Sequence, residues 1–244
     1  MTVIKICGIL DVRGGLAAID AGADYLGFVF YPPSSRALDI PRARRLVADL
    51  REARPGGWQA VGVFVNEPLE VIDETATACA LDVVQLNGEE PPDYVRQIGN
   101  PVFKALRFKD SDGAALPTAT SFGAARVLVD ANVPGRYGGT GVRYDWSRVR
   151  AAVADGFLAG GLTPENVAEA LDRAQPWGVD VSSGVEKDGV KDPKLIERFI
   201  AAVRQSQVPS PKSQAARQPQ VHSRTEVPSP TSESSSAPKA EEQP

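Results

Sequence analysis

The sequence predicts an α/β protein built as a single (β/α)8 TIM barrel, on three observations. Eight short apolar segments are each followed by a segment with a helical pattern, which is typical of a parallel sheet covered by helices. Eight such units within about 200 residues fit a closed barrel better than a doubly wound sheet. No glycine fingerprint for a dinucleotide follows the first strand, which also argues against the doubly wound alternative. We therefore predict one barrel domain over residues 1–204.

The composition excludes several classes of partner. Hydrophobic residues make up 42% of the chain and the net charge is −4, so we expect no nucleic acid and no membrane surface as partners. No apolar run approaches the roughly 18 residues that span a bilayer, and no signal peptide precedes the first strand. Cys7 and Cys79 are the two cysteines and have no metal-type spacing. We expect a cytoplasmic, reduced protein without a metal site.

The first strand ends on a cysteine and has an unusual inner face. Side chains alternate along a strand, so Lys5 and Cys7 share one face and Ile4 and Ile6 the other. The isoleucine face suits a covering layer of helices. A charge and a thiol are poor choices for an ordinary core, so the pattern predicts chemistry at the tip of this strand, where Gly8 marks a tight turn.

The remaining elements follow in strict alternation. Seven further strands are predicted at residues 25–30, 60–66, 83–86, 102–108, 126–130, 157–159 and 178–181. Helices are predicted at residues 11–21, 41–54, 68–80, 91–98, 146–154, 163–174 and 192–204. Thr163 and Pro164 form a good N-cap and first-turn pair for the sixth of these helices. Residues 109–124 have little periodicity and predict one short helix at most.

The last part of the chain differs from the rest. From Gln205 onward Pro, Ser and Gln dominate, and Leu, Ile and aromatic residues are absent. Such a segment cannot bury enough apolar surface to offset the entropy of ordering. Residues 205–244 are therefore predicted to be a disordered tail. The only histidine, His222, falls in this tail, so we expect no histidine in the site.

Two side chains at the strand ends suit acid–base chemistry. In barrels of this kind the chemistry lies at the C-terminal ends of the strands. Asp130 ends an apolar strand, and partial desolvation would raise its pKa and suit it to general acid catalysis; a helix cap or a structural hydrogen bond is the alternative. Cys7 could act as a base if a nearby cation favours its thiolate, with Lys5 one layer lower; an inert buried thiol is the alternative.

The other candidates suit a substrate with two anionic groups. Arg36 follows a stiff Pro-Pro-Ser-Ser turn, and its guanidinium could hold a carboxylate through two parallel hydrogen bonds, unless it is only a solvated surface side chain. Glycine-rich turns follow the last three strands, where barrels often bind phosphate through backbone N–H groups. The turn around Gly139 suggests a mobile cover that excludes water. The phosphate candidates are Gly160, Gly161, Ser182, Ser183 and Gly184.

An ordered set of motifs resembles one family over residues 3–204, the phosphoribosylanthranilate isomerases. The motifs are Lys5–Gly8 (KICG), Gly27–Phe30 (GFVF), Ser34–Arg36 (SSR), Val61–Phe64 (VGVF), Val84–Leu86 (VQL) with Gly88–Glu89, Leu128–Asp130 (LVD), Gly138–Gly141 (GGTG), Gly160–Gly161, and Asp180–Glu186 (DVSSGVE). The resemblance stops before the tail.

The resemblance implies an isomerase of tryptophan biosynthesis that converts N-(5-phosphoribosyl)anthranilate into the 1-deoxyribulose phosphate derivative. It implies that Cys7 is the general base, Asp130 the general acid and Arg36 the ligand of the anthranilate carboxylate, with phosphate on the late loops. Because no electrons leave the substrate, no cofactor and no metal are expected. The expected partner is the small phosphosugar substrate, and the protein is expected to be a monomer or homodimer.

One departure and two rival functions accompany this prediction. The family usually has histidine after Val-Gln-Leu, whereas this chain has Asn87, which can hydrogen-bond a substrate but cannot titrate. A first rival is another aldose–ketose isomerase or epimerase acting on a phosphosugar. A second rival is a non-catalytic phosphate-ligand-binding protein that uses its tail to contact partners.

Overall fold

The computed structural model describes residues 1–108, 116–131 and 144–207. The chain divides into two compact units, Met1–Val208 and Pro209–Pro244, and the described residues belong to the first. The glycine turn with Gly139 and most of the segment predicted as a tail lie outside the described residues.

Eight parallel strands close into a barrel, which confirms the predicted fold class. They are β1 (Val3–Cys7), β2 (Tyr25–Val29), β3 (Gln59–Phe64), β4 (Val83–Leu86), β5 (Val102–Phe108), β6 (Arg126–Ala131), β7 (Phe157–Leu158) and β8 (Gly178–Val181). Neighbours in sequence are neighbours in the sheet, and β8 pairs back onto β1. The register of this last pairing places Lys5 beside Asp180, so the first and last strands bring two charged residues to one level.

The helices that cover the barrel are amphipathic and mostly end where the sequence predicts. They are α1 (Val12–Ala21), α2 (Ile40–Ala53), α3 (Leu69–Ala78), α4 (Pro92–Val95), α5 (Ala119–Phe122), α6 (Arg150–Val153), α7 (Val167–Ala174) and α8 (Pro193–Ser206). Every helix among the described residues is too short or too polar to cross a lipid bilayer.

Several predicted helix boundaries differ from the observed ones. The helix predicted at residues 91–98 is only Pro92–Val95, and the one predicted at 146–154 begins with a 3-10 helix, Trp146–Val149, before α6. The predicted start of α7 at Thr163 is wrong: Asn166 is the N-cap, because residues 163–166 form a turn in which the Asn166 amide oxygen accepts from the Thr163 N–H at 2.8 Å. At the end of the barrel, α8 continues to Ser206, two residues past the predicted boundary.

The core has two layers. Ile4 and Ile6 are fully buried in the outer layer between sheet and helices, which confirms the predicted apolar face of β1. Inside the barrel, aromatic rings fill the end away from the site: Phe157 lies against Phe103 at 5.1 Å and against Trp177 at 5.1 Å between ring centroids. This packed end leaves the C-terminal mouth as the place for a ligand.

A small antiparallel hairpin after β8 is absent from the sequence prediction. It consists of β9 (Glu186–Lys187) and β10 (Val190–Lys191), with Gly189 in the left-handed region at φ 79°. Its strands are only two residues long, too short to show an alternating pattern. The hairpin matters because Glu186 and Lys191 both face the mouth of the barrel.

Candidate active site

Cys7 lies at the end of β1 on the inner face, as predicted. It is 8% exposed and packs with Val29 and Val63 on the two following strands. The turn after it needs glycine, because Gly8 has φ 81° and its N–H donates to the Gly27 carbonyl at 2.9 Å. The thiol is thus fixed at the floor of the mouth.

Lys5 lies one layer below Cys7 and is fully buried. Its Nζ donates to Oδ1 of Asp180 on β8 at 2.8 Å. Burial alone would lower the pKa of Lys5, but the charge of Asp180 raises it above the ordinary value. Burial raises the pKa of the Cys7 thiol above its ordinary value, and the ammonium of Lys5 opposes that rise. In the free protein Cys7 is therefore held mainly as a thiol.

Asp130 enters the same mouth from β6. It is 8% exposed and stands opposite Arg107 of β5 in the sheet register. One pocket is lined by both Cys7 and Asp130, together with Arg36, Gln85, Asn87, Asp180 and Ser182. A thiol and a carboxylate from non-adjacent strands thus face one small space, as acid–base chemistry on a single bound molecule requires.

Arg36 reaches over the mouth from the loop after β2 and is held there by an ion pair. Its Nε donates to Oε1 of Glu186 at 2.7 Å, and its Nη2 donates to Oε2 at 2.6 Å. Lys191 of the hairpin also pairs with Glu186. Burial alone would raise the pKa of Glu186, but the hydrogen bonds from Arg36 and the charge of Lys191 hold it below its ordinary value. Arg36 is therefore a fixed cation at the pocket.

Asn87 follows β4 and is tied to a buried polar network. Its Oδ1 accepts from Nε2 of Gln85 at 2.9 Å, which leaves the donor side of the Asn87 amide for a ligand. The loop beyond it is fixed by Lys104, whose Nζ contacts the Gly88 carbonyl at 2.7 Å and Oε2 of Glu90 at 2.9 Å. This network positions Asn87 at the pocket wall.

A second pocket adjoins the first and contains the predicted phosphate turns. It is lined by Gly160, Gly161, Ser182, Ser183 and Gly184, and it shares Asp130, Asp180 and Ser182 with the first pocket. Gly160 and Gly161 have φ values of 89° and 64°, a region that favours glycine.

The two turns of this second pocket touch each other through glycine. A Cβ on Gly184 would overlap the carbonyl group of Leu162 in the turn after β7. The side-chain Nδ2 of Asn166 in turn donates to the Gly161 carbonyl at 2.8 Å. The backbone is therefore closely packed and held in place where an anion would meet its N–H groups.

The structure thus places nine of the ten predicted site residues around two joined pockets, and the tenth, Gly139, lies outside the described residues. Sequence reasoning missed Gln85, Asp180, Glu186 and Lys191. Asp180 carried a usable signal, because an acidic residue near the end of an apolar strand is the same pattern that singled out Asp130. Among the described residues no group of three potential ligands is placed to hold a metal ion.

A closed (β/α)8 barrel with a thiol, a carboxylate and an arginine beside glycine turns defines a class: barrel enzymes that perform acid–base chemistry on a small phosphorylated ligand. The model of one family, described as N-(5'-phosphoribosyl)anthranilate isomerase, matches residues 4–202. The chain belongs to the phosphoribosylanthranilate isomerase family, and it is therefore an isomerase.

Relatives and solved structures agree with this assignment. The phosphoribosylanthranilate isomerase of Roseiflexus castenholzii is 48% identical over 208 residues, which are 83% of this chain and 98% of the relative. The Thermus thermophilus enzyme matches 84% of this chain and 99% of its own, with 33% identity and a TM-score of 0.73.

One of the similar structures carries a ligand. It is a phosphoribosylanthranilate isomerase in complex with reduced 1-(o-carboxyphenylamino)-1-deoxyribulose 5-phosphate, which has 35% identity and a TM-score of 0.68 and covers 84% of this chain and all of that one.

Proposed function

We propose that this chain isomerises N-(5'-phosphoribosyl)anthranilate to 1-(o-carboxyphenylamino)-1-deoxyribulose 5-phosphate, with Asp130 as general acid and Cys7 as general base. The observation that carries the proposal is the shared pocket, in which the thiol of β1 and the carboxylate of β6 face one space. The adjoining glycine pocket lies where the phosphate of the same molecule would reach. The reduced product analogue bound by a relative has the two anionic groups that this arrangement suits.

The first step assigned to this geometry opens the sugar ring. Asp130 donates a proton to the furanose ring oxygen while the bond between C1′ and that oxygen breaks. The lone pair of the anilino nitrogen forms the C=N bond of a protonated Schiff base, so the ring opens without an external reagent. A buried carboxyl group at the end of β6 suits this donation because water does not compete for its proton.

The second step moves a proton away from carbon. Cys7 as thiolate removes the proton from C2′, and the electron pair of that C–H bond forms a C=C bond. The C=N electrons return to nitrogen, which gives an enolamine, and the enol then tautomerises to the ketone. Electrons stay within the substrate throughout, so acid and base groups suffice for the proposed reaction.

The remaining residues bind the two ends of the substrate. Arg36 still has its Nη1 edge for the anthranilate carboxylate, because its Nε and Nη2 atoms hold Glu186. Asn87 offers an amide N–H at the wall of the same pocket. The backbone of Gly160, Gly161, Ser182, Ser183 and Gly184 would hold the phosphate, and a cover formed around Gly139 stays a prediction.

The proposal also concerns the state of the protein in the cell. Cys7 and Cys79 are both free and buried, as expected for a protein of the reducing cytoplasm. A monomer and a homodimer both fit, since monomers have been generated from the dimeric Thermotoga maritima enzyme, which is 35% identical with a TM-score of 0.68 and covers 84% of this chain. Light scattering on the purified full chain distinguishes the two states.

The experiment that tests the proposal is a steady-state assay of the full chain with N-(5'-phosphoribosyl)anthranilate, followed by substrate fluorescence. Cys7→Ser and Asp130→Asn should each lower kcat by roughly a hundredfold or more, the scale of general acid–base catalysis. Cys79→Ser is the matched thiol control and should leave kcat unchanged, because Cys79 is buried at the C-terminal end of α3 and lines neither pocket.

Two results would contradict the proposal. Near-normal kcat in the Cys7→Ser or Asp130→Asn variant would remove that residue from its role. Wild-type protein that leaves the anthranilate adduct intact but converts a simple pentose phosphate would indicate the rival aldose–ketose isomerase instead.

A further inference from the structure

Lys5 is a fully buried charge that the proposed mechanism does not use. It is the largest of the fully buried side chains among the described residues, and its Nζ donates to Oδ1 of Asp180 at 2.8 Å. A buried ion pair is costly to desolvate and contributes little net stability compared with well-packed apolar residues. An aliphatic pair would fill this layer of the barrel more simply, so the charges here call for a functional explanation.

The ammonium of Lys5 lies against the catalytic thiol. A Cβ placed on Gly27 of the neighbouring strand would lie 2.7 Å from Sγ of Cys7 and 3.2 Å from Nζ of Lys5. Both side chains belong to β1, and the two atoms therefore flank the same point of β2, where Gly27 presents only a hydrogen. Glycine at this position lets the thiol and the ammonium approach each other.

Cys7 faces charged groups from several elements. Lys5 of β1 and Lys191 of β10 favour its thiolate, whereas Asp180 of β8 disfavours it. Arg36, from the loop after β2, and Asp130 of β6 line the same pocket. Lys5 is the group whose charge most strongly opposes the effect of burial on the thiol, and Lys191 is engaged by Glu186.

We propose that Lys5, held in place by Asp180, is the positioning residue whose positive charge allows Cys7 to form its thiolate. The inference rests on the proposed role of Cys7 as the base. A thiol buried at the floor of a barrel would otherwise lose its proton only at strongly alkaline pH, because a thiolate needs compensating charge in a low-dielectric site. Lys5 supplies this charge from below, which leaves the upper side of Sγ open to the substrate.

Asp180 acts on the Cys7 thiolate in two opposing ways. Its carboxylate keeps Lys5 charged and fixes the position of Nζ, but its own negative charge disfavours the thiolate. The pair therefore stabilises the thiolate less than a lone ammonium would.

The test is the pH dependence of iodoacetamide alkylation of Cys7 in the full chain without substrate, quantified by mass spectrometry of the Cys7 peptide. Lys5→Met keeps the length of the side chain and removes its charge, so the alkylation midpoint should rise by about one pH unit or more.

Lys104→Met provides the matched control. Lys104 is 3% exposed and pairs with Glu90 at 2.9 Å, so its loss removes a comparable buried pair without removing a charge beside Cys7. The alkylation midpoint of this variant should equal that of the wild type. A Lys5→Met midpoint equal to that of the wild type would overturn the proposal.

If Lys5→Met does not fold, Lys5→Gln decides the question, since its amide can still donate to Asp180 while the charge beside Cys7 is removed. A midpoint that stays in place in Lys5→Gln contradicts the inference. The alkylation assay contains no substrate, so it tests the role of Lys5 separately from the proposed function. If the midpoint does not shift while the Cys7→Ser variant is inactive, only the role of Lys5 is contradicted.

Discussion

The guanidinium of Arg36 and the carboxylate of Glu186 form a two-point ion pair, with 2.7 Å between Nε and Oε1 and 2.6 Å between Nη2 and Oε2. The pair joins the loop after β2 to the hairpin after β8, over the end of β1, which lies between these two strands. A planar guanidinium bound along one edge presents its other edge in a fixed direction. Arg36 is thus held in one orientation at the pocket and is not the solvated surface side chain that the sequence left open.

Loss of Arg36 should act mainly on substrate binding. Charge-assisted hydrogen bonds contribute roughly 1.5–3 kcal/mol each, so Arg36→Ala should raise KM by about 10- to 100-fold with a smaller change in kcat. Glu186→Gln should raise KM by a smaller factor, because it loosens Arg36 without removing it. Steady-state kinetics with the anthranilate substrate measure both effects.

Arg54→Ala is the control for this prediction, since its ion pair with Asp20 is about half exposed at 46% and 50% and lies away from the pocket. An unchanged KM in Arg36→Ala would remove the carboxylate assignment. An unchanged KM in Glu186→Gln, with Arg36→Ala impaired, would show that the ion pair is dispensable for orienting Arg36.

The pKa of Cys7 predicts how activity changes with pH. Burial raises the pKa of this thiol, and the charge of Lys5 only partly offsets that rise. The proposed reaction needs Asp130 protonated as well as Cys7 deprotonated, so the wild-type profile combines both groups. In Asp130→Asn, where position 130 no longer titrates, the residual kcat/KM should follow the Cys7 thiolate and should still be rising at the ordinary thiol pKa of about 8.5. Rates of this variant measured from about pH 6 to about pH 10, with circular dichroism to follow folding, check this. A residual profile of Asp130→Asn that is flat above neutral pH would be incompatible with a buried thiol as the base.

The fold could be predicted from the sequence because the patterns that indicate it lie within short segments of the chain. Each barrel strand is a short apolar run bounded by turn residues, and parallel strands with two covered faces need no other pattern. The hairpin of Glu186–Lys187 and Val190–Lys191 escaped prediction because two-residue strands have no period. The start of α7 was misplaced because Thr163 and Pro164 have the composition of a helix start, while Asn166 makes the actual cap.

The site was only partly predictable because its pairings join distant parts of the chain. Strand alternation placed Cys7 and Asp130 at the mouth, and both line one pocket. The partners of Lys5 and Arg36 lie 175 and 150 residues away in sequence, and only closure of the barrel brings them together. Strand alternation predicts which face of the sheet a side chain lies on. Its neighbour across the strands depends on the register of β1 with β8, which the sequence pattern does not give.

The contact between the two phosphate turns rests on the absence of a side chain at Gly184. A Cβ there would overlap the carbonyl group of Leu162, which is backbone and cannot rotate aside. Gly184→Ala should therefore push the turns after β7 and β8 apart and misplace the N–H groups that would meet the phosphate. Gly160 and Gly161, which stand in the left-handed region, would be displaced with them.

We expect Gly184→Ala to raise KM for the phosphorylated substrate by about tenfold, the effect of losing roughly one hydrogen bond to a charged group, while thermal stability falls only modestly. Gly99→Ala is the matched control, because a Cβ on Gly99 would meet no atom within 4 Å, and its KM should equal that of the wild type. Inhibition by inorganic phosphate separates a binding defect from general loosening, since it should weaken in parallel with KM. If KM and phosphate inhibition both stay at wild-type values, the anion does not bind at these turns, and the second pocket must serve another part of the substrate.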